Sequence, residues 1–65
     1  MDYSKIGQFL IKLREYFRLS EDDVAIRLSV SRQSVTQWEE GNALPDIETL
    51  VKLSEMYGIT VNDIV

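Results

Sequence analysis

Cysteine and histidine are both absent from the 65 residues. Without cysteine there is no disulfide framework and no thiolate metal site, a usage compatible with a reducing cytosol. Without histidine the chain lacks the commonest general base and the other usual zinc ligand. Ser31 and Ser34 therefore have no imidazole to activate them as nucleophiles. The expectation is a protein that is not an enzyme and that works without metal or cofactor.

Long apolar runs are missing too. Nothing approaches the roughly 20 consecutive apolar residues that span a bilayer, and the opening "MDYSKIGQFLIKL" carries an acid at its second position and breaks its apolar residues with polar ones, unlike a signal peptide. A cytoplasmic location is expected. Strand-like alternation, internal repeats, low-complexity segments and interdomain linkers are equally lacking. A chain of 65 residues makes one small domain, burying only about 60% of its unfolded surface, which argues against a deep catalytic cleft. At 45% hydrophobic and 28% charged it has the composition of a folded domain.

Cations are scarce, 7 against 11 acids, for a net charge of -4, but the imbalance is patterned. Val24 through Trp38 contains no Asp or Glu and holds Arg27 and Arg32, whereas Glu21, Asp22 and Asp23 precede it and Glu39 and Glu40 follow it. The acids opening "EDD" suit a helix dipole better than a divalent cation.

What is present reads as helices. Ile6, Phe9, Leu10, Leu13 and Phe17 recur at spacings of three and four and predict the buried face of a first helix, capped by Asp2 or Ser4 and ending near Phe17 or Arg18. Gly7 inside it is useful if a neighbour packs closely. Ser20 with Asp23 forms a capping-box pattern for a second helix over about 21–28, with Val24, Ala25 and Leu28 inward and Ile26 outward. After "SVS", Ser31 can cap a third helix over about 32–39, stopped by Gly41. Beyond "GNALP", Asp46 can cap a fourth, with Ile47, Leu50, Leu53, Met56 and Tyr57 on one side and Gly58 at its end. Thr60 with Asp63 starts a fifth that the chain leaves almost at once, as if cut from a longer protein. The tyrosines 3, 16 and 57 are assigned to packing. Ile26, Ile64 and Val65 are the residues to watch for a partner surface or a missing continuation. The predicted fold is all-α, a compact bundle of five helices.

Two short helices thus meet across a tight turn. Each residue turns about 100° around a helix axis, so Val35 and Trp38 on the buried side place Gln33, Thr36 and Gln37 within about 50° of straight outward, with Arg32 at the N-terminal edge. Glutamine's donor and acceptor match adenine's major-groove edge, and arginine's fork matches guanine's two acceptors. A groove about 12 Å wide admits one helix, and a carboxylate on that face would meet the field of the phosphates. The plain alternative is a solvated polar face.

"VSRQSVTQWEEG", with "LS...VA..L" upstream, resembles the Cro/repressor type of helix-turn-helix DNA-binding domains, the Xre family that includes the lambdoid phage repressors; such repressors are the standard examples of this docking geometry. The similarity runs from "IGQFLIKLR" to "LPDIETLVKLSEMYGITVNDIV". It implies base-reading positions at Arg32, Gln33, Thr36 and Gln37. It also implies backbone positions at Ser20, Glu21, Ser31, Ser34 and the loop from Glu40 to Asn42, and a structural ion pair between Arg14 and Glu39. Glu21 stands where glutamine is common and Glu40 where a neutral or basic residue is frequent, so both depart from the family's pattern and put carboxylates near phosphates.

The resulting expectation is sequence-specific binding of double-stranded DNA by a bacterial or phage transcriptional regulator, a repressor acting as a homodimer, with recognition helices about 34 Å apart on a two-fold symmetric operator. The competing class is a protein-interaction or antitoxin module on the same fold, which the acidic composition favours.

Overall fold

The computed structural model describes residues 2–65. Five helices follow one another: α1 (Tyr3–Tyr16), α2 (Glu21–Leu28), α3 (Arg32–Glu39), α4 (Ile47–Tyr57) and α5 (Val61–Ile64). No strand occurs among the described residues. Helix α3 packs against both α1 and α2, while α4 meets α2 and α5, so the short polar helix is held from two sides.

Local chemistry explains the boundaries. The Asp2 carboxylate accepts from the Lys5 amide at 3.1 Å and the Asp46 carboxylate from the Thr49 amide at 2.9 Å. Ser20 with Asp23, and Thr60 with Asp63, close complete capping boxes, each side chain accepting from the other residue's amide. Ser31 opens α3 by accepting from the Ser34 amide. Helix α2 ends at Ser29, in the left-handed region at φ 58. Val30 follows with its amide on the Ala25 carbonyl at 3.0 Å, which makes the link to α3 tight.

These caps predict an acid response. Asp23, Asp46 and Asp63 accept hydrogen bonds from Ser20, Thr49 and Thr60, which hold all three carboxyls below their usual 3.8. A depressed folded value means stability present above pH 3.8 and lost as pH falls through the folded values. The melting temperature of the wild type should therefore drop on acidification below about pH 4. An Asp23→Asn, Asp46→Asn, Asp63→Asn variant should show a shallower drop, and parallel curves would rule these groups out as its source.

The core gathers Ile6 and Leu10 from α1, Val24, Ala25 and Leu28 from α2, Val35 and Trp38 from α3, Leu50, Leu53 and Tyr57 from α4, and Ile64 from α5. Ile26 points outward as its spacing predicts. Five expectations are corrected, the first being Tyr3, assigned to packing but as exposed as Phe17 at 44%. Ile64 is buried, because α5 folds back onto α4 and α1. Ile47 is exposed. It lies about 90° from the centre of the buried arc and, as the first residue of α4, leans beyond the helix start. Tyr16 is 81% exposed, on the side of α1 away from Ile6 and Leu10, its ring edge to face with that of Phe17. Phe17 lies just past the end of α1 and remains partly exposed, its ring 5.2 Å from that of Tyr57.

Candidate nucleic-acid interface

Val35 and Trp38 are almost fully buried and orient α3. With that side fixed, Arg32 and Gln33 are exposed and Thr36 and Gln37 half-buried. The four residues expected to read bases thus share one helix face, free of any carboxylate of its own helix until Glu39.

Around this face the expected backbone residues fall into separate local pairs. Ser20 is exposed, its Oγ accepting from the Asp23 amide at 3.0 Å. Ser31 accepts from the Ser34 amide at 3.1 Å, and their two hydroxyls lie 3.0 Å apart. Asn42 donates its side-chain amide to Glu40 at 3.3 Å, an exposed contact that occupies the amide internally. Glu21, expected on the backbone side, has its carboxylate engaged with α3. It accepts the Thr36 hydroxyl at 2.9 Å and lies 3.5 Å from Arg32 Nε. Asp22 stands 3.9 Å from the same nitrogen.

Behind the face, Arg14 grips Glu39 with a two-pronged ion pair, Nε to Oε2 at 2.7 Å and Nη2 to Oε1 at 3.0 Å. A third N–H donates to the Leu19 carbonyl at 3.0 Å, tying the α1–α2 connection into the same arrangement. Both side chains are largely buried. Burial raises the Glu39 carboxyl above its usual value despite Arg14, and the neighbouring Glu21 pushes the same way. Glu21 goes the other way. Desolvation opposes its ionisation, but the hydrogen bond from the Thr36 hydroxyl and the nearby Arg32 and Arg14 cations outweigh it.

Sequence reasoning missed Glu21 as the hub of this network. Its contact to Thr36 joins residues 15 apart on different helices, and no local pattern signals it. Among the described residues no group of His, Cys, Asp or Glu is placed to hold a metal ion.

A capped helix, a tight turn and a second helix with a polar outer face define a helix-turn-helix domain. Comparison with known proteins agrees. A helix-turn-helix family model matches residues 9–64. The chain is 30% identical over 60 residues to the HTH-type transcriptional activator BcrR of Enterococcus faecalis, covering 92% of this chain but 29% of that protein. It is 31% identical over 51 residues to an uncharacterized HTH-type transcriptional regulator of Methanocaldococcus jannaschii, covering 78% of this chain and 77% of the other. The crystal structure of the restriction-modification controller protein C.AhdI from Aeromonas hydrophila superposes with a TM-score of 0.88 at 26% identity, covering 98% of this chain and 97% of that one.

The chain belongs to the helix-turn-helix family, of the Cro/C1 type found in DNA-binding transcriptional regulators.

Proposed function

We propose that α3 is the recognition helix of a sequence-specific DNA-binding domain in a bacterial or phage transcriptional regulator, with Arg32, Gln33, Thr36 and Gln37 facing base edges in the major groove. The observation that carries this reading is the clustering of these four side chains on one accessible face in a chain of net charge -4. Ser20, Ser31, Ser34 and Asn42 border it and supply phosphate contacts, Asn42 after leaving Glu40. With so few cations one copy would bind weakly, so a homodimer on adjacent half-sites about 34 Å apart is the working form. A cytoplasmic location follows from the substrate, and no helix among the described residues is long and apolar enough to cross a membrane.

Selection of bound sequences from a random duplex library at moderate salt, with wild type beside a Gln33→Ala, Gln37→Ala double variant, tests face and function together. The wild type should enrich a two-fold symmetric motif, and each glutamine lost should cost about 1 to 3 kcal/mol at its base pair. Failure of a folded, dimeric wild type to enrich any sequence would favour the protein-interaction module.

A further inference from the structure

We propose that Glu21 is a positioning residue for base recognition, which sets the placement of Arg32 and the hydrogen-bond polarity of Thr36 before DNA is met. The inference rests on the reading of α3 as the recognition helix.

Glu21 opens α2, yet its carboxylate serves α3. One oxygen, Oε1, accepts from Thr36 at 2.9 Å and lies 3.5 Å from Arg32 Nε. Arg32 and Thr36 stand one turn apart on α3, so a single anchored atom governs two successive reading side chains. The carboxylate is itself fixed, with 20% of its side chain exposed, beside the Glu39 carboxyl that Arg14 clamps.

The two contacts have different consequences. Arg32 is approached at Nε, which leaves its terminal Nη groups available for guanine's O6 and N7. Thr36 has one hydroxyl hydrogen, and both acceptors within reach belong to the protein: Glu21 at 2.9 Å and the Arg32 carbonyl at 3.2 Å. The carbonyl is the weaker choice, since it also serves the α3 backbone. Toward DNA, Thr36 therefore offers lone pairs and a methyl group. That suits an amino group of adenine or cytosine, or the methyl of thymine, and not guanine's acceptors. Restraining both side chains in advance lowers the ordering cost of binding. The carboxylate at the edge of the face meanwhile opposes the phosphate field. Glu21 thus gives up general affinity and gains discrimination.

The test measures affinities of the intact chain for its selected duplex, every single-base variant of it and an unselected duplex. Arg32→Ala and Thr36→Val identify the base pair each side chain reads. Glu21→Gln keeps an oxygen that can accept from Thr36 but removes the nearer of the two carboxylate charges at Arg32, leaving Asp22 at 3.9 Å. It should bind unselected duplex roughly threefold more tightly and lose roughly tenfold of its discrimination at the Arg32 base pair. Glu21→Ala removes both contacts and should additionally lose roughly threefold at the Thr36 base pair. Discrimination ratios unchanged in both Glu21 variants, or affinities shifted uniformly at every base pair as a merely structural role would produce, overturn the proposal. A wild type without base preference overturns this inference together with the proposed function, whereas a wild-type preference that stays unchanged at the Arg32 and Thr36 base pairs in both Glu21 variants overturns this inference alone.

Discussion

Arg14→Ala should destabilise the domain by about 3 kcal/mol at neutral pH, the cost of removing one partner from a largely buried ion pair. At roughly 0.05–0.15 kcal/mol per residue, a domain of this size has only about 3–10 kcal/mol in total, so much of the population could unfold at 37 °C. The loss has three parts: the two-pronged contact to Glu39, the hydrogen bond to the Leu19 carbonyl, and the screening of Glu39 from Glu21. The third part makes the effect depend on pH. Burial already raises the Glu39 carboxyl above 4.5, and losing Arg14 raises it further. A raised folded value gives stability that is present below the unfolded value and lost as pH rises through the folded one. The difference between variant and wild type should therefore shrink as pH approaches 4.5 and widen toward 7. Urea denaturation at the two pH values measures this, and a constant difference would mean that Glu39 is not the residue left stranded. A paired Arg14→Met, Glu39→Leu variant should recover much of the stability, because it strands no charge.

Gly7→Ala should cost about 1–3 kcal/mol, although alanine is the better helix former by about 1 kcal/mol. Gly7 lies where α1 crosses the end of α3, and an added Cβ would sit 2.6 Å from the carbonyl oxygens of both Trp38 and Glu39. Neither atom is the tip of a flexible side chain. To admit the methyl, α1 must move off α3, which would also stretch the Arg14–Glu39 pair and shift the Trp38 anchor. A fall in melting temperature with altered tryptophan fluorescence is the expected result. An unchanged or raised melting temperature would show that the crossing relaxes freely and that propensity wins. Gly58 is the useful contrast: a Cβ there meets nothing within 4 Å, so the cost of Gly58→Ala comes from its φ of 71 alone.

Helix starts were legible because capping is local. A Ser, Thr or Asp accepting from an amide three residues on needs no tertiary partner, and Asp2, Ser20, Ser31, Asp46 and Thr60 all do so. Periodicity was a safe guide inside helices and failed at their ends. Ile47 and Phe17 obey the spacing of their helices, but each sits at a terminus where the neighbouring layer gives incomplete cover. Ile64 failed in the opposite sense, since nothing in a four-residue helix announces that it folds back over the core.

By itself the sequence determined an all-helical chain, four of its helix starts, with Asp2 or Ser4 left open for the first, and the outward face of α3, since the angular positions of Val35 and Trp38 leave Gln33, Thr36 and Gln37 no other side. Only the tertiary structure decided what lies against that face. Glu21 reaches Thr36 across 15 residues and Gly7 meets carbonyls of α3, two helices along the chain, while the Arg14–Glu39 pair, 25 residues apart, was implied by the family resemblance and by no local pattern. Backbone periodicity sets the direction of a side chain about its own helix axis, whereas such contacts depend on the crossing angle and separation of two helices. The whole core fixes those together.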